Sequence, residues 1–151
     1  MHDWWTELSE VFYVAVDFDG TIVYDEFPQI GPPVRGALDV LRKWQVDPKI
    51  STILWTCRDG QYLEEAVSWL RSKGLEMPVN ENPDIEHGNR KLVADVFVDD
   101  RNVGGLEGWR QIAQHIWEGQ RKHEIRRRRL RKKLHESSPK VPDGPVGRGR
   151  A

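Results

Sequence analysis

Val11-Phe12-Tyr13-Val14-Ala15-Val16 runs directly into Asp17-Phe18-Asp19-Gly20-Thr21, and the fold is decided by how this stretch reads. Six consecutive apolar residues, β-branched and aromatic, describe a strand covered on both faces. Such a strand belongs to a parallel sheet wrapped by helices. The abrupt change to Asp-Phe-Asp-Gly-Thr places two carboxylates at its carboxyl end, where open α/β sheets bind their ligands.

The rest of the chain repeats this pattern. Breakers at Pro28, Gly31, Pro32 and Pro33 predict a loop after Thr21, and Pro33 is well placed to open a helix. Val34, Ala37, Leu38, Leu41 and Trp44 then recur at helical spacing. Ile50 to Trp55 reads as a second strand ending at Thr56. A helix from about Asp59 to Lys73 stops at Gly74. Met77-Pro78-Val79 is a short strand candidate weakened by its proline. Asn80 to Asn89 reads as a polar loop, and Val96-Phe97-Val98 as a strand ending in Asp99-Asp100. A third helix carries Leu106, Trp109, Ile112, Ala113 and Ile116 on one side. Alternating strands and helices predict a Rossmann-like three-layer α/β/α sandwich with a mostly parallel sheet.

Composition bounds the rest. At 151 residues, 38% hydrophobic and 31% charged, the chain is expected to be one soluble domain, or a domain with a tail. It has no apolar run long enough for a membrane span, and its first residues lack the marks of a secretory leader. The lone Cys57 excludes a disulfide framework and fits a reducing, cytoplasmic setting; beside Thr56 it reads as core packing. The five histidines show no ligand spacing. The net charge of −1 conceals a split: residues 1–118 hold 11 Lys+Arg against 21 Asp+Glu, and residues 119–151 hold 12 against 3. The expected organisation is therefore an acidic domain over 1–118 and a basic extension over 119–151, helical and then disordered. The basic run within 121–133 suggests contact with a nucleic acid or an acidic partner, although no aromatic residue between 121 and 151 supports base stacking.

Brought together, the strand ends would juxtapose Asp17, Asp19, Asp99 and Asp100. Carboxylates that close repel unless a cation neutralises them. Oxygen-only ligands point to Mg²⁺, and Thr56, Arg58 and Lys91 offer donors for a phosphate. Arg58 reads equally well as a salt-bridge partner, and Arg90 as a substitute for Lys91.

These residues resemble the haloacid dehalogenase (HAD) superfamily of phosphohydrolases over about residues 10–118. Asp17-Phe18-Asp19-Gly20-Thr21 is similar to its first motif, Thr56 to its second, Lys91 to its third and Val98-Asp99-Asp100 to its fourth. Thr56-x-Arg58 and Asp99-Asp100-Arg101-Asn102 also resemble the phosphatase domain of polynucleotide kinase-phosphatases. The resemblance implies a Mg²⁺-dependent phosphatase acting on a phosphate monoester. Asp17 would be the nucleophile that carries an aspartyl-phosphate, and Asp19 the acid and base. Metal would be held by Asp17, the Asp19 carbonyl, Asp99 and Asp100, and the phosphoryl oxygens by Thr56 and Lys91. Asp19 itself favours phosphate esters over haloalkanoates. The gaps from Thr21 to Pro33 and from Gly74 to Lys91 are too short for a cap domain, so the resemblance implies a capless enzyme whose site is open or covered by self-association. A nucleic-acid-end phosphatase, a phosphotransferase and a catalytically idle scaffold on the same fold are the alternatives.

Overall fold

The computed structural model describes residues 9–85 and 90–137. Strand β1 (Phe12–Val16) is the centre of a parallel sheet, with β4 (Ile50–Leu54) on one side and β5 (Val96–Val98) on the other. Val79 adds one parallel bridge beyond Leu54, so the 77–79 segment contributes a single paired residue. Helix α1 (Ala37–Val46) joins β1 to β4, α2 (Gly60–Ser72) follows β4, and α3 (Trp109–Ser137) follows β5. The architecture is the Rossmann-like α/β arrangement that the apolar runs predict.

Alternation along β1 divides the core. Phe12, Val14 and Val16 pack with Leu41 and Trp44 of α1, Ala66 and Leu70 of α2, and Trp109, Ile112 and Ile116 of α3. Right-handed crossovers in one direction across a sheet put α1 and α2 on the same face. Tyr13 and Ala15 face the other way and join Ile53 under Ile85, Leu92 and Ala94. Among the described residues this second face is covered by the connecting chain instead of a helix.

Two elements differ from expectation. Residues 22–33, predicted as a loop, form an antiparallel hairpin of β2 (Val23–Glu26) and β3 (Gln29–Pro33), turning at the cis Phe27–Pro28 bond. Prolines are tolerated here because the hairpin stands apart from the main sheet, where missing donors cost nothing. Gly31 is required by close approach: a Cβ there would collide with the Tyr24 carbonyl. The second difference is α3, which runs unbroken through residue 118, where the sequence suggested a boundary. Gly119 sits close against the tip of the Phe12 ring, where a Cβ would come within 3.1 Å of Cζ, and His123 meets that ring edge-on at 5.7 Å. The packed body therefore extends well into the basic segment. The disordered stretch expected at the C-terminus lies outside the described residues.

Candidate active site

The chain reverses direction across the sheet between β1 and β5, and the strand-end aspartates meet at that switch point. The Asp17 amide donates to the Val98 carbonyl at 3.0 Å, which fixes the two ends side by side. One carboxylate oxygen each from Asp17, Asp99 and Asp100 lies within 4.8 Å of the others. Buried Thr21 organises the group: its hydroxyl donates to Asp17 Oδ2 at 3.4 Å and accepts the Asp100 amide at 3.1 Å. Its carbonyl accepts the indole N–H of Trp109 at 2.9 Å, so the start of α3 pins the loop from behind. Gly20 has a φ of 78°, and a Cβ there would run into the Asp100 carboxylate. Gly-Thr after the second aspartate thus has a local cause. The glycine admits Asp100, and the threonine bridges two of the three acids.

Burial and the neighbouring charges of Asp99 and Asp100 push the Asp17 carboxyl up to about 7, with the Phe18 amide opposing them. Asp100 Oδ1 is buried and has no hydrogen-bond partner. A bare acid this close to two others is poorly satisfied by protein alone. An oxygen-only donor set with one orphaned carboxylate oxygen fits a metal ion.

The sequence suggested four clustered carboxylates; the structure brings together three. Asp19 lies beside them, gripped by Arg58 through paired bonds of 2.7 Å from Nε and Nη2. Arg58 is only 4% exposed. It also donates to the carbonyls of Pro28 at 3.1 Å and Gln29 at 2.9 Å, and its guanidinium lies over the rings of Phe18 and Phe27. Of the two readings of Arg58, the structure takes the salt bridge: the fork is occupied by Asp19 and the hairpin and is not free for phosphate.

An open hollow of about 540 Å³ lies over the acids, and Thr56, Asn80 and Arg101 share its wall. Asn80 holds Thr56 by accepting its amide at 2.9 Å and donating to its carbonyl at 3.0 Å, in a backbone conformation of φ 55° that asparagine tolerates. The Thr56 Oγ accepts the Arg58 amide, leaving the hydroxyl hydrogen available. Lys91 is not brought to this wall. Both Lys91 and Arg90 line the adjoining hollow, with Lys91 over the Phe97 ring at 5.6 Å. Arg101 is the cation that sequence reasoning passed over, although it follows the acid pair directly. Asn80 was legible as a polar loop residue bordering the open site, but its hold on Thr56 was not. Cys57, read as core packing, is exposed at the rim because β4 has already ended.

Fold and site together define an α/β protein with an acid-lined hollow at the carboxyl ends of its strands. The chain matches no family model and no curated protein. It is 44% identical to a conserved protein of known structure from Bacteroides thetaiotaomicron, with a TM-score of 0.66, over 72% of this chain and 91% of that one. The chain belongs to the same family as that conserved protein. No described helix is long and apolar enough to cross a membrane.

Proposed function

We propose that the protein is a Mg²⁺-dependent phosphatase of the HAD type, acting on a phosphate monoester through an aspartyl-phosphate on Asp17. The supporting observation is the triad of Asp17, Asp99 and Asp100, with Asp100 Oδ1 buried and unpartnered beside a raised Asp17. These three carboxylates would hold Mg²⁺, which would supply positive charge against the phosphoryl oxygens and keep Asp17 ionised. The Thr21 hydroxyl on Asp17 Oδ2 restrains the nucleophile's rotation, so its attack begins from one orientation. Thr56 and Arg101 are donors in the wall of the hollow. Asp19 stands two residues on, suited to protonate the leaving oxygen and then to activate water. Both of its oxygens are on Arg58, so it enters this role by exchanging one of those bonds for the substrate.

Steady turnover of an aryl phosphate with Mg²⁺, inhibition by Ca²⁺ and loss in excess chelator are the expected results. Full activity in chelator would overturn the metal assignment. A folded, Mg²⁺-loaded protein inert on a broad panel of phosphate monoesters would overturn the phosphatase reading and leave a scaffold.

A further inference from the structure

The acid site leaves the far end of α3 unexplained. Its contacts place it at the opposite pole of the molecule. His123 Nε2 donates to the Ser9 carbonyl at 3.0 Å, Arg131 reaches Glu10 at 3.0 Å, and Lys49 reaches Glu124 at 3.7 Å. Ser9 and Glu10 precede β1, and Lys49 precedes β4. The basic half of α3 is therefore anchored at the amino ends of the strands, with the length of the sheet between it and the aspartates.

Residues 121–133 contain nine Lys and Arg and one acid, Glu124. Several of these cations are occupied. Arg127 and Arg131 face Glu10, Arg128 faces Glu124, Lys132 faces Glu136, and Arg121 lies over the Trp117 ring. What remains is Lys122, Arg126, Arg129 and Lys133, all exposed. Lys122, Arg129 and Lys133 have no partner among the described residues, and Arg126 acts only at a distance on Asp95. Steps of four, three and four residues align these four on one helical face, about 16 Å long at 1.5 Å per residue. Like charges at such spacing repel one another and weaken a helix. A linear polyanion laid along the face would remove that cost.

We propose that this face of α3 is a docking surface for the phosphodiester backbone of a nucleic acid. Guanidinium forks match phosphate oxygens, and a straight row of cations matches a regular row of phosphates. A protein partner would need apolar or aromatic anchors near the centre of its interface, and the row has none. A membrane surface would need a continuous apolar face along the helix. Ile125 falls on one side of the row and Leu130 and Leu134 on the other, so no such face forms. Binding through this row reads charge and not sequence.

The test uses the full chain, with fluorescent DNA and RNA duplexes of about two helical turns. Salt-sensitive binding is expected. Four phosphate contacts would weaken it about a hundredfold between about 50 and 200 mM salt. Replacing Lys122, Arg126, Arg129 and Lys133 together by alanine, which favours helix, should abolish most of this binding and its salt slope. Helicity by circular dichroism and turnover of a small aryl phosphate should be retained. A control that removes the same charge elsewhere, Arg35, Lys43, Lys73 and Arg110 to alanine, should bind within about threefold of the parent, a difference below about 1 kcal/mol. Equal loss in both variants would reduce the effect to net charge and overturn the site. Equal or tighter binding to polyglutamate or to anionic vesicles, or salt-sensitive self-association in place of duplex binding, would overturn the ligand class.

Discussion

The two ends of the sheet handle like charge in opposite ways. At the carboxyl end, Asp17, Asp99 and Asp100 are partly withdrawn from water and crowded by a threonine, a glycine and an indole. Their repulsion is retained and held in shape. At the amino end, most cations of α3 stand in solvent; Arg131 and the largely buried Arg127 reach the body through Glu10, and Lys49 of the body reaches Glu124. Repulsion there is screened by water and salt. Held repulsion is relieved by a proton on Asp17 or, as proposed, by a bound cation. The exposed row of cations, as proposed, would attract a phosphodiester backbone. The carboxyl end should therefore be fragile to single-atom changes and the amino end tolerant of them.

The largest expected effect is at Asp17. Asp17→Asn should lower turnover of every phosphate monoester by at least about 10⁴-fold, since no covalent intermediate can form. The same change should relieve the metal-free protein. A carboxyl raised to about 7 holds its proton in the folded state after the unfolded chain has lost it. Metal-free stability from this group is thus highest in acid and falls as pH rises from about 4 through about 7. Melting at pH 5 and pH 8 in chelator should show a smaller drop for Asp17→Asn than for the parent, and Mg²⁺ should raise Tm only in the parent. A parent whose Tm is flat over that range would break the contrast between the two ends.

Next comes Asp19→Asn, expected to cost about 10²- to 10⁴-fold. The loss in the first turnover should be far greater for an alkyl than for a nitrophenyl phosphate, since nitrophenolate needs no proton to depart. Rapid-quench measurement of phosphorylated enzyme separates the steps. Equal losses for both substrates would leave Asp19 only a structural part.

At the amino end the effects shrink to stability. Phe12→Ala removes a ring that is 5% exposed and supports both Gly119 and His123, at a cost of about 3–5 kcal/mol in denaturant melts. Turnover per folded molecule should be unchanged. Glu10→Ala breaks two pairs from a side chain that is 70% exposed, and should cost under about 1 kcal/mol. A large activity loss from either would show that the two ends communicate.

The strands and the acid triad were legible because each depends on neighbours in sequence. Val11 to Val16 needs only its own composition to read as a buried strand, and Asp99-Asp100 follows three apolar residues directly. The hairpin at 22–33 was not legible, because its pairing is exposed and lacks strict alternation. Prolines that mark a loop elsewhere are harmless in a ribbon standing off the main sheet. Arg58 was undecided since its partner, Asp19, lies 39 residues away and the choice rests on tertiary geometry. Lys91 lies in the wall of the adjoining hollow for the complementary reason: order along the chain does not set the path of a long polar connection. The run of α3 across residue 118 was hidden by a charge boundary. Gly119 and His123 look like surface residues until Phe12 is placed beneath them.

Arg58 joins parts that are usually free to vary apart. It grips both oxygens of Asp19 and, with the same guanidinium, the carbonyls of Pro28 and Gln29 at the tip of the hairpin. The group suited to proton transfer and the loop nearest the mouth of the hollow thus hang on one shared counter-ion. A substitution in the turn that shifts either carbonyl also tilts the Asp19 carboxylate. In a mutational landscape, exchanges at the hairpin tip would then interact strongly with exchanges at Asp19, and relatives with a different turn would need a matched change at position 58. Selection for a new leaving group would be read out as a change in the pH–rate profile.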